Sequence, residues 1–159
     1  MTEPPMDTQD MERIPSFSLD HNTMQKGFYL DMQMHGISTW DLRMKTPNAG
    51  DYITPKALHS IEHIIATVMR NSEQRDSVIY FGPMGCRTGF YLLTVGMGRT
   101  DALLLCLEAF RKAADFTEVP GSKKIECGNY LEHDLDGALR ECRDYAAVLE
   151  GICRGEGVL

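Results

Sequence analysis

A chain of 159 residues, 43% hydrophobic and 25% charged, is sized and composed for one soluble domain with a real core. Its formal net charge of -7 excludes an ordinary nucleic-acid binder, because no basic surplus exists to neutralise phosphates. No apolar run approaches the roughly 18 residues that span a membrane. The start, Met1-Thr2-Glu3-Pro4-Pro5, has neither the basic residues nor the apolar stretch of a signal peptide. Residues 1–15 are expected to be a flexible tail, and residues 16–159 a single domain. The five cysteines are odd in number and form no Cys-x-x-Cys pair, which fits a reduced, cytoplasmic setting.

In chain order, Gly27 to Met44 alternates as strands: Phe28, Leu30, Met32 and Met34, a turn at His35-Gly36, then Trp40, Leu42 and Met44. This pattern predicts a sheet with one covered face and sets Asp41 and Arg43 opposite Trp40. After a loop over Thr46–Gly50, Thr54-Pro55 supplies a cap and a first-turn proline for a helix to about Asn71. Its apolar side carries Leu58, Ile61, Ile64, Ile65, Val68 and Met69, with His59, Glu62 and His63 on roughly the other side.

Ser77–Tyr80 reads as a short strand, Gly82-Pro83-Met84-Gly85 as a turn, and Phe90–Gly96 as another strand. Thr100 is placed to cap a helix over about Asp101–Phe116. Pro120-Gly121 breaks the chain, the stretch around Cys127-Gly128-Asn129-Tyr130 is irregular, and Asp134 is placed to cap a last helix. The fold class predicted is α+β, a mainly antiparallel sheet packed with helices.

Chemistry concentrates in His59-Ser60-Ile61-Glu62-His63. Residues four apart share a helix face, so both imidazoles reach one metal ion, and Glu62 stands beside it as a proton carrier. A catalytic site needs a third protein ligand and an open position. Cys127, Cys86, His133, Glu126 and Glu132 are the candidates for the third. Gly128 after Cys127 allows close backbone approach. Cys106, Cys142 and Cys153 sit on apolar stripes and read as core. Cys86, on a tight turn before Arg87, reads either as a reactive thiol with that cation at hand or as a small buried residue.

Five blocks in order resemble the S-ribosylhomocysteine lyase (LuxS-type) family. They are Ser16-Phe17-Ser18-Leu19-Asp20-His21, Asp41-Leu42-Arg43 with Pro47-Asn48, the His59–His63 block, Pro83-Met84-Gly85-Cys86-Arg87-Thr88-Gly89, and Cys127-Gly128-Asn129-Tyr130 with His133-Asp134-Leu135. The resemblance runs from about Ser16 to the last helix. Ser60 and Ile61 depart from the family's common Thr-Leu, Gly82 stands where a serine is frequent, and the stretch before Ser16 is longer than usual.

The resemblance implies an α+β homodimer with active sites at the subunit interface. It implies His59, His63 and Cys127 as ligands of one Fe(II), with Zn(II) or Co(II) able to substitute. It implies Cys86 and Glu62 as acid/base residues, and Ser16, His21, Asp41 and Arg43 as substrate-binding positions. The implied substrate is S-ribosylhomocysteine. The implied products are homocysteine and 4,5-dihydroxy-2,3-pentanedione, the autoinducer-2 precursor of quorum sensing. Two other readings stand beside it: an inverted-motif (His-x-x-Glu-His) zinc metallopeptidase completed by a downstream carboxylate, and an inactive metal-binding relative.

Overall fold

In a computed structural model, which describes residues 8–159, four antiparallel strands form one sheet in the order β1-β2-β4-β3. β1 is Gly27–Met34, β2 Ile37–Arg43, β3 Val78–Pro83 and β4 Gly89–Val95. Three helices, α1 (Pro55–Arg70), α2 (Arg99–Lys112) and α3 (Leu135–Gly155), pack on one face. Of the expected tail, residues 1–7 lie outside the described residues. Short 3-10 turns occupy Thr8–Asp10 and Pro15–Ser18. No helix among the described residues is long and apolar enough to cross a membrane.

Alternation decides which side chains meet the helices. Phe28, Trp40, Leu42, Phe81, Phe90 and Leu92 turn inward and join Ile61, Ile64, Ile65, Phe110 and Leu149 in one core. Phe28 stacks on Trp40, and Phe81 on Phe90. Cys106, Cys142 and Cys153 are buried in this core, as their spacing predicts. Burial pushes the thiols of all three up, away from the reactive form.

The expectation of one covered face fails at β2. Asp41 and Arg43, on the face away from the helices, are 0% and 1% exposed. The central position of β2 and the segment before β1 cover them: Ser16, Phe17 and His21 line the same hollow as Arg43. Two further expectations need correction. Gly82 and Pro83 do not make a turn but pair with Tyr91 and Phe90, extending β3. α2 starts at Arg99 behind Gly98, so Thr100 lies inside the helix and is not its cap, and a 3-10 turn follows at Ala113–Asp115.

A candidate metal centre and a second cavity

α1 begins where the sequence directs it. Thr54 Oγ1 accepts the Ala57 N–H at 3.3 Å, and Pro55 fills the first position. The apolar stripe faces the core and leaves His59, Glu62 and His63 half-buried on the opposite side. The loop between α2 and α3 is laid over that side and fastened at both ends. His63 Nδ1 bonds the Pro120 carbonyl at 2.9 Å, and His59 Nδ1 bonds the Glu132 carbonyl at 2.8 Å. Between these anchors the backbone N–H of Cys127 donates to the Lys123 carbonyl, turning the cysteine back toward α1.

The result is a cluster of His59, His63, Cys127 and His133, whose ligand atoms all lie within 4.8 Å of one another. Cys127 Sγ is 3.5 Å from His59 Nε2 and 4.0 Å from His63 Nε2. Donors around one tetrahedral ion would be spaced about 3.3–3.8 Å apart, so this set fits a divalent metal. Tautomer chemistry agrees. A carbonyl only accepts, so both Nδ1 atoms carry the proton and both Nε2 lone pairs face the cluster. Of the candidates for the third ligand, Cys127 and His133 are here, and Cys86 is elsewhere. The Glu126 carboxylate accepts from Lys123 N, while Glu132 contributes only its carbonyl. Burial, then the two neighbouring imidazoles, holds His133 below the ordinary histidine value.

Glu62 lines a cavity of about 350 Å³ with His63, Ala66, Arg70, Tyr80 and Phe81. The carboxylate and His63 of the cluster therefore share one hollow at the β3 edge of the sheet.

Cys86 belongs to a different hollow. The turn from β3 to β4 is tied to the end of β2: Met44 N and Lys45 N both donate to the Thr88 carbonyl at 2.9 Å. Arg87 has positive φ, and a Cβ at Gly89 would collide with the Leu42 carbonyl, so only glycine fits there. Cys86 Sγ lies 3.0 Å from Thr88 Oγ1 and 4.0 Å from Arg43 Nη1. The cation beside the sulfur is thus Arg43 and not its chain neighbour Arg87, whose guanidinium donates to the Ile53 carbonyl and lies over the Tyr52 ring.

The cavity here, about 360 Å³, is lined by Ser16, His21, Arg43, Cys86, Thr88 and Tyr91 among others. Tyr91 donates to Ser16 Oγ at 3.2 Å, which holds the N-terminal segment against the sheet. Tyr91 lies outside the five sequence blocks, and Thr88 stands in one of them without an implied role. The alternation of β4 was a signal for Tyr91, because it points that side chain away from the core.

Asp41 does not line this cavity. Its carboxylate grips Arg43 through two bonds of 3.1 and 2.6 Å, both groups being buried. Burial pushes the Asp41 carboxyl up, against the opposing pull of Arg43. Its bearing on any ligand therefore runs through the guanidinium it holds. Removing one partner of a buried pair strands the other charge. Asp41→Asn is accordingly expected to lower stability by about 3–5 kcal/mol, seen as a fall in the urea midpoint. Replacing both partners by apolar residues should recover part of that loss, and an unchanged midpoint for Asp41→Asn would remove the pair from the account of the fold.

The two cavities share no lining residue. Ser16, His21, Arg43 and Cys86 line one; Glu62 and His63 line the other, and His63 joins it to the cluster with His59 and Cys127.

Fold and donor set define a class first: an α+β domain with a three-histidine, one-cysteine cluster able to hold a metal ion and a glutamate on the helix that carries two of those histidines. Residues 14–152 match the family described as S-Ribosylhomocysteinase (LuxS). The chain is 44% identical over 142 residues to an S-ribosylhomocysteine lyase of Phocaeicola vulgatus, covering 85% of this chain and 88% of the relative. It is 43% identical over 150 residues to one of Desulfotalea psychrophila (89% and 94%) and 41% identical over 149 residues to one of Borreliella afzelii (89% and 95%). The chain belongs to the S-ribosylhomocysteinase (LuxS) family.

Proposed function

We propose that this chain is a carbon–sulfur lyase that cleaves S-ribosylhomocysteine to homocysteine and 4,5-dihydroxy-2,3-pentanedione. The observation that carries the reading is the convergence of His59, His63 and Cys127, with Glu62 on the same helix face, in a chain whose relatives bear the name S-ribosylhomocysteine lyase. The ion is one Fe(II) per subunit, with Zn(II) or Co(II) able to substitute, and the setting is cytoplasmic. A cysteine in place of a downstream carboxylate argues against the peptidase reading. The presence of both Glu62 and Cys86 argues against an inactive relative.

The carbon–sulfur bond of the substrate cannot break at once, because no acidic proton sits beside the carbon that bears sulfur. The carbonyl must first move from C1 to C2 and then to C3, after which loss of the C4 proton expels the thiolate from C5. A divalent ion, when bound, supplies Lewis-acid stabilisation of the negative charge that develops on oxygen in each shift, with no redox change.

The chain's own residues move the protons. Cys86, as thiolate, takes the C2 proton and returns it to C1. Glu62 takes the C3 proton, returns it to C2, and then removes the C4 proton as the thiolate leaves. Arg43, at 4.0 Å, supplies positive charge beside Cys86. Ser16, His21 and Arg43 bind substrate in the cavity beside Cys86, with Asp41 orienting Arg43.

Because Cys86 and Glu62 line separate hollows of one chain, the active unit is a homodimer in which each site takes the metal half from one subunit and the Cys86 half from the other. An apolar face supports this: Met34, Tyr80 and Val95, turned away from the helices, are 53%, 52% and 41% exposed.

The test is anaerobic Fe(II)-loaded protein with S-ribosylhomocysteine, with released thiol followed over time. Cys86→Ala and Glu62→Gln are each expected to keep their metal and lose about 10²–10⁴-fold in turnover. Release near the parent rate by either variant removes its assigned role, and no release by the parent protein removes the reading.

A further inference from the structure

The cluster holds a fourth nitrogen that the three-ligand reading does not use. His133 Nε2 is 3.6 Å from Cys127 Sγ, and its ring stacks on His59 with centroids 4.1 Å apart. A fourth protein ligand would close the site, whereas a catalytic one keeps a position open. Hydrogen-bond accounting decides between the two.

His133 Nδ1 meets Ser60 Oγ at 3.1 Å. The same oxygen accepts the Asp134 backbone N–H at 2.9 Å. Ser60 is fully buried, and its hydroxyl has no other hydrogen-bond partner among the described residues. The hydroxyl proton therefore goes to His133 Nδ1, which must accept it. A neutral imidazole that accepts at Nδ1 carries its proton at Nε2. This is the opposite tautomer to His59 and His63, whose Nδ1 atoms donate to carbonyls.

We infer that His133 is not a ligand but a positioning residue that donates Nε2–H to the Cys127 sulfur. Protonated there, Nε2 has no lone pair for a metal, so three donors remain and the fourth position stays free for substrate. The donated bond withdraws charge from the thiolate, which leaves a bound ion a stronger Lewis acid. Ser60 sets the arrangement from the buried face of the helix that carries both histidine ligands, so the ligand helix fixes the third ligand's electronics as well as its own. This inference rests on the reading of His59, His63 and Cys127 as the metal-holding set.

The test uses Co(II)-loaded protein without substrate and reads the thiolate-to-metal charge-transfer band. Charge withdrawn from sulfur raises the energy of that band. In His133→Phe the protein is expected to keep one Co(II) per chain, with affinity reduced about 10–100-fold and the band moved to lower energy. Ser60→Ala, which frees Nδ1 to take the proton, should shift the band in the same direction, and Ser60→Thr, which restores the hydroxyl, should bring it back. That pair decides the matter should His133→Phe fail to fold. A band unmoved in Ser60→Ala, or loss of Co(II) stoichiometry with collapse of the four-coordinate spectrum in folded His133→Phe, overturns the inference. A parent protein with no thiolate-to-Co(II) band overturns the metal-centre reading itself, which is a separate result from a missing band shift.

Discussion

Cys127→Ser is expected to lose its metal. Cys127 is the one sulfur among the three proposed ligands, and a serine hydroxyl stays protonated near neutral pH where a thiol at a metal does not. Loss of a partner one bond removed from a ligand costs roughly 10–100-fold in affinity, so loss of the ligand itself should cost more than about 100-fold. Competition against a chelator measures it directly.

A second readout follows from linkage. The loop carrying Cys127 is irregular and exposed on most residues, and its hold on α1 runs through the two histidine–carbonyl bonds and the Ser60 bonds. Metal at 100 times its dissociation constant adds about 2.7 kcal/mol to stability. In a chain of this length that amounts to a rise of about 5–10 °C in melting temperature. The parent protein should show the rise and Cys127→Ser should not. Cys86→Ser, in the other cavity, should bind metal as the parent does. Stoichiometric, tightly held metal in Cys127→Ser would transfer the ligand role elsewhere.

How far residues alone led depended on whether the deciding contact was local. α1 was legible because its cap, its first-turn proline and its apolar period all lie within its own sequence. The separation of His59, Glu62 and His63 from the core stripe followed from the same periodicity. β3 was misjudged at its end, since Gly82-Pro83 has the composition of a turn. β3 is an edge strand, where a proline costs no ladder bond on the open side, so the pairing with β4 continues through it.

Thr100 looked like a cap by residue type, yet the chain turns two residues earlier, at Gly98. Alternation set Asp41 and Arg43 side by side, but not their burial, which depends on the segment around Ser16–His21 folding over β2. Adjacency pointed to Arg87 as the partner of Cys86. The register that sets Arg43 opposite Gly89 brings a cation from 43 residues away instead. His133 was visible as one candidate among five. Its setting in the cluster depends on Ser60, 73 residues earlier, and no spacing rule contains that bond.

Mixing two inactive variants should restore activity. If each active site joins the Glu62 half of one subunit to the Cys86 half of its partner, a heterodimer of Glu62→Gln and Cys86→Ala has one site with both defects and one with neither. Random pairing makes half the dimers mixed, so co-refolded equimolar chains should recover about a quarter of the parent activity. Cys127→Ser mixed with Cys86→Ala should behave the same way, because those residues fall in different halves. Cys127→Ser mixed with Glu62→Gln should recover nothing, since both defects lie in the metal half and every site inherits one of them. This pattern separates a shared site from simple stabilisation by association, which would not distinguish the pairs. Recovery in none of the mixtures, with dimers formed, would mean that Cys86 and Glu62 meet within one chain.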